Sequence, residues 1–282
     1  MIKGVLQDYS AGLKTLAFFI ILIFSFTLVA TVSGVLSTGD MNDIPNLRLL
    51  QLVQSLILYV GTPLIFAFLI DKKPFNFLKI NKAGSTKSHF LVVLTMCAAI
   101  PLINLFGFIN QQIALPEILA DYEKMLAELT EKLLATSSFG GLMSNIFLVA
   151  LVPAVGEELF FRGTIQQLIG GKRHQHLAVW ITAFIFSAIH LQFAGFLPRF
   201  MLGAFLGYLF FWSKNIWLPI IAHFINNALV VIFYFLYSNE KTTINIDEIG
   251  INTTWYLGLA SAVIVAFLLI LNYKTNRKNY IE

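Results

Sequence analysis

Charge is what this sequence has least of. Only 12% of its 282 residues are Asp, Glu, Lys or Arg, about half the share of a soluble globular domain. That scarcity excludes a water-soluble enzyme, a disordered chain and a nucleic-acid-binding module. Cysteine is nearly missing: Cys97 stands alone inside an apolar run, so no intrachain disulfide forms. No internal repeat, low-complexity segment or linker breaks the chain, which reads as one domain over 1–282. What replaces charge is hydrocarbon. Apolar residues make up 57% of the chain, 27 of them Phe, and the mean hydropathy is +0.77. The composition predicts an all-α polytopic membrane protein whose surface faces lipid.

A helix crosses the hydrocarbon core with about 20 apolar residues. Uncharged runs cover Leu16 to Leu36, Leu49 to Ile70, Phe90 to Ile113 and Thr253 to Tyr273. Four more spans hold a few polar residues: Phe139 to Ile169, Leu177 to Phe193, Phe196 to Ser213 and Ile216 to Tyr237. The count is therefore about eight. The first run exceeds the roughly 7–15 residues of a signal-peptide core and reads as an anchor. One side of an eight-span layout receives 13 Lys and Arg, among them Lys172 and Lys278, and the other receives five. Basic loops stay in the cytoplasm, so both termini are expected there. The end from Lys274 to Glu282 reads as a solvated tail. Between the third and fourth spans, Pro116 to Leu134 places Ile118, Leu119, Tyr122, Met125, Leu126, Leu129 and Leu133 at helical spacing among acidic residues. This predicts an amphipathic helix at the non-cytoplasmic interface. It serves either as a packed connector or as a lid or substrate-handling element.

Ionisable groups in a membrane are costly and ask for a reason. Here they concentrate in the second half: Glu157, Glu158 and Arg162 in the fourth span, His190 in the fifth, and His223 with Asn226 and Asn227 in the seventh. Residues four apart share a helical face, so Glu158 and Arg162 form a natural ion pair. Glu157 is five residues from Arg162, about 140° around the axis, and is left without a local partner. Burial makes the ionised carboxylate costly and raises its proton affinity, which suits a general base. The bland alternative is a salt-bridge cluster that only fixes helix packing. Pro153 and Gly156 just before the pair predict a kink, tolerated where a helix faces protein or a wet cavity. Phe186 and His190 share one face, as do His223 and Asn227. Counting about 1.5 Å per residue puts Glu157 roughly 18 Å from the cytoplasmic end of its span. On the same rise His190 comes out at roughly 20 Å, Asn227 at roughly 16 Å and His223 at roughly 10 Å. These depths are close enough for one cavity, with His223 the shallowest.

Glu-Glu-x-x-x-Arg (157–162), Phe-x-x-x-His (186–190) and His-x-x-x-Asn (223–227), in this order on separate hydrophobic segments, resemble the CAAX prenyl endopeptidases and their bacterial relatives. That group is called CPBP, for CAAX proteases and bacteriocin-processing enzymes, or the Abi family. The motifs run from Glu157 to Asn227 within a motif-bearing core at about 139–237, and the first three spans carry nothing to match. The resemblance implies intramembrane proteolysis of a membrane-associated peptide or protein. Glu157 would activate water, His190 would hold that water, and His223 with Asn227 would stabilise the oxyanion. Glu158 and Arg162 would support them, with Phe186 alongside.

No His-Glu-x-x-His helix is present, and the chemistry needs no metal. The alternative is zinc held by Glu157, His190 and His223, with water in the fourth position. Two other functions stay open at this stage. Buried Glu, Arg and His also mark proton-coupled transporters. A non-catalytic membrane immunity or scaffold protein would use the same family fold. The chain itself ends Asn279-Tyr280-Ile281-Glu282, without a CAAX box, and its Ile, Phe, Asn and Lys content points to a bacterial cell membrane. The expected partners are the lipid bilayer and the peptide substrate.

Overall fold

The computed structural model describes residues 3–40, 42–171 and 173–281. Lys172 and Glu282, both counted above, lie outside them, as do the side chains from 278 onward. Among the described residues there is no strand. The helices are α1 (Ala11–Leu36), α2 (Ile44–Ile70), α3 (Thr86–Gln111), α4 (Glu117–Leu134) and α5 (Phe139–Gly170). They continue with α6 (Gln175–Ala188), α7 (Phe196–Ser213), α8 (Trp217–Ser238) and α9 (Trp255–Ile281).

Seven of these are long and apolar enough to cross a membrane, and the chain is an integral membrane protein. The expected eighth span is α6, which has 14 residues. It ends at Ala188, before the predicted Phe193, because Leu191 turns into the left-handed region (φ 53°) and the chain leaves helical geometry. His190 therefore sits on a turn beyond the helix end. The predicted tail is also revised. α9 runs on through Ile281, and Asn276 is buried on α3, where its amide donates to Ser88 Oγ at 3.0 Å.

The burial pattern is that of a lipid-bathed bundle. Along α1 only Phe18 and Ser25 are buried, whereas Ile20, Ile23 and Phe24 face outward. Small and polar residues make the helix contacts, since apolar burial gives no net drive inside lipid. Thr62 on α2 donates to Ser25 on α1 at 2.8 Å. Two apolar clusters flank the polar centre. Val92, Leu206, Leu218 and Val265 join α3, α7, α8 and α9. Phe18, Phe66, Phe160, Phe161 and Phe186 join α1, α2, α5 and α6.

Three segments wind as π-helix: 55–61 in α2, and 146–151 and 161–166 in α5. Such wide turns recur at functional sites. The second ends against Pro153, which has no N–H to give. The Val152 amide instead reaches Phe147 O, five residues back. The predicted kink is thus a wide turn. Glu157 and Glu158 occupy the α-helical stretch (Val152–Phe160) between the two π segments of α5.

The predicted amphipathic helix is α4. Leu119, Tyr122, Leu126, Leu129 and Leu133 are half-buried, and Ile118 and Met125 are exposed. Its Glu123 Oε1 accepts from the Ala194 amide at 3.1 Å. From α3, Asn110 donates to Phe193 O at 2.7 Å and accepts from the Leu197 amide at 2.6 Å. The non-helical stretch that carries His190 is held at its far end by these bonds.

Candidate active site

Glu158 is the hub. Its Oε1 accepts from Arg162 at 2.7 Å and from His223 Nδ1 at 2.8 Å, with Glu158 and Arg162 fully buried. The i, i+4 pairing read from the sequence is present. The second bond, from α8, was not expected. Arg162 also donates to Gly203 O on α7 at 2.9 Å. Gly203 lets α7 approach α6 closely: a Cβ there would lie 3.1 Å from Ala183 Cα and from the Phe186 ring. Phe186 packs edge-on against His190 and His223, with ring centroids 5.2 and 5.8 Å away. The Arg162 guanidinium lies 4.8 Å from the centre of its face.

Glu157 stands apart, as its spacing required. Its Oε2 is buried with no hydrogen-bond partner and lies 4.0 Å from His223 Nε2. His223 is thus tethered through Nδ1 to one carboxylate and faces the other through Nε2. The depth count had placed His223 well below Glu157. Helix ends are a poor ruler here: α5 has 32 residues and α8 has 22, yet the two side chains meet at 4.0 Å.

Glu157 lines a polar cavity of about 210 Å³ together with His190, Pro153, Ile189, Gln51, Gln54, Ser55 and Tyr59. His190 Nδ1 is bonded to Phe186 O at 2.7 Å, which fixes the ring's orientation. An apolar chamber of about 370 Å³ adjoins it across the shared residues Gln54, Tyr59 and Ile189. Asn227 is a turn from His223 but is not among the residues lining the polar cavity. Its amide donates to Val149 O at 3.4 Å, and its Oδ1 accepts from Asn226 at 3.1 Å. Among the described residues no three His, Cys, Asp or Glu side chains converge as a metal-ligand set, the trio Glu157, His190 and His223 included.

The sequence that builds this arrangement is similar to a known family over part of the chain. Residues 139–229 fit the family model described as type II CAAX prenyl endopeptidase Rce1-like. Over that segment the chain is similar to this family. The match takes in α5 through most of α8, and with them Glu157, Glu158, Arg162, Phe186, His190, His223 and Asn227. A curated relative, the uncharacterized protein YpbD of Bacillus subtilis (strain 168), is 32% identical over 89 residues. The aligned stretch is 30% of this chain and 43% of that protein, so the chain spans less than half the length of the relative it matches. No solved structure matches.

Sequence reading missed the wall that faces Glu157. Gln51, Gln54, Ser55 and Tyr59 come from α2, outside the Rce1-like segment. Their signal was present: two glutamines one helical turn apart in an otherwise apolar span.

Proposed function

We propose that the protein is an intramembrane endopeptidase that hydrolyses a peptide bond of a membrane-associated peptide or protein. The observation that supports it best is the buried, unpartnered Oε2 of Glu157, at the edge of a polar cavity and 4.0 Å from an imidazole. Glu158 Oε2, within the ion-pair cluster, is also unpartnered, but Glu157 lines the cavity, where a bound water can satisfy it.

Glu157 takes a proton from a water held by His190, and the hydroxide oxygen attacks the scissile carbonyl carbon. The carbonyl π pair moves to oxygen, where His223, as an imidazolium that also donates Nδ1–H to Glu158, stabilises it through Nε2–H with Asn227 as second donor. Glu157 then passes its proton to the leaving nitrogen as the C–N bond breaks. Glu158, fixed by Arg162, holds the His223 ring through Nδ1. No metal is required on this reading, and the protein sits in a bacterial cell membrane with both termini in the cytoplasm.

Comparative proteomics of membranes from wild-type and Glu157→Gln cells tests the activity. Peptides ending at a common cleavage site are expected in the first and absent from the second. Identical proteomes, with both proteins at equal level, would overturn the reading. Purified protein should keep full activity after exhaustive chelation; loss of activity with specific rescue by zinc would replace the metal-free mechanism.

A further inference from the structure

Two side-chain amides on the first half of α2 face the polar cavity, Gln51 half-buried and Gln54 exposed. Gln51 and Gln54 make no side-chain hydrogen bond to any described residue. Gln54 lies about 15 Å along α2 from its start at Ile44. Their donors and acceptors are therefore free to bond a molecule that enters the cavity. Both amides line the cavity that holds Glu157 and His190, on the wall opposite them. Ser55 and Tyr59 continue that wall.

The chemistry of the wall limits what it can hold. It bears no charge, so it does not attract an ionic headgroup or a charged side chain. Each glutamine offers an amide N–H pair and a carbonyl, complementary to the C=O and N–H of a peptide main chain. Gly156 keeps the wall close to the carboxylate: a Cβ there would come within 2.9 Å of Tyr59 Cβ, so α2 and α5 touch where the reacting groups sit.

We infer that Gln51 and Gln54 hydrogen-bond the main chain of an extended, uncharged peptide beside its scissile bond and so position it over Glu157. This rests on the endopeptidase reading above and assigns α2, which no motif reaches, a positioning role in it.

The test uses the full chain in lipid nanodiscs and an equimolar mixture of uncharged decapeptides, with cleavage followed by mass spectrometry. The fastest-cut peptide is then made with each backbone amide in turn replaced by an ester, which removes one N–H. Gln51→Leu and Gln54→Leu should each raise KM about five- to ten-fold with kcat little changed, the loss expected for one neutral hydrogen bond. In wild type one ester near the cut should cost a similar factor, and the same ester should cost the matching variant less than two-fold. A merely structural glutamine would not produce that non-additivity. Wild-type kinetics in both variants, or an ester penalty unchanged by them, would overturn the assignment while leaving the protease intact. Cleavage by Glu157→Gln at the wild-type rate, or none by wild type, would overturn the endopeptidase reading itself. Gln54→Met, with thermal unfolding of each variant, separates lost positioning from lost folding.

Discussion

Replacing Glu158 with Gln keeps the shape of the side chain and removes its charge. In the folded protein Arg162 is fully buried, and among the described residues its anionic partner is Glu158, at 2.7 Å. Gly203 O and the face of Phe186 remain to it, but neither carries charge. Breaking a buried ion pair by deleting one partner costs about 3–5 kcal/mol, because the other charge is stranded. At roughly 2–4 °C per kcal/mol for a chain of this size, Tm should fall by about 10 °C. Arg162→Met should fall by a similar amount. The double variant strands neither charge, so it should recover about a third of the summed loss, a coupling of about 2–3 kcal/mol. The assay is thermal unfolding of the four proteins in one detergent. A Glu158→Gln protein melting within 2 °C of wild type would refute the reasoning. Glu158 would then be neutral in the fold, and His223 would lack the anionic anchor assigned to it.

Three further outcomes are expected. Gly156→Ala should lower stability by about 1–3 kcal/mol, since the new methyl collides with Tyr59 Cβ at 2.9 Å and must push α2 from α5; chemical denaturation in micelles measures it. Asn110→Leu strands Phe193 O and the Leu197 amide, at about 1–3 kcal/mol for each group left buried; hydrogen exchange in 189–197 should rise while exchange in α1 does not. Lys79 lies in the loop after α2, where burial and the neighbouring Lys82 hold its ammonium below its ordinary value of 10.5, against a smaller opposing pull from Asp71. A lysine lowered by folding stabilises the fold above its unfolded value and loses that contribution as pH falls through the lowered one. Lys79→Gln should therefore melt higher than wild type at pH 7, and the gap should close by pH 11.

How far the sequence could be read differs between the two halves. Spans showed because about 20 uncharged residues have no other use, and the Glu158–Arg162 pair showed because four residues make one helical turn. The short α6 did not, since hydropathy continues through Ile189, Leu191 and Phe193 while the backbone leaves the helix at Leu191. The bond from His223 to Glu158 joins residues 65 positions apart, and no local rule carries that distance. Gln51 and Gln54 were visible but unread, because a window that scores charge passes over neutral amides.

The wide turn at 55–61 has a consequence for the register of α2. A π turn holds one residue more than an α turn, so it acts as a spliced-in residue that phases the two ends of a rod independently. Excising a single position there would rotate Gln51 and Gln54 by about 100° relative to Thr62 and Phe66, turning both amides from the water side to the oil. The first half of the span can thus be re-aimed by indels of one without disturbing how its second half is seated.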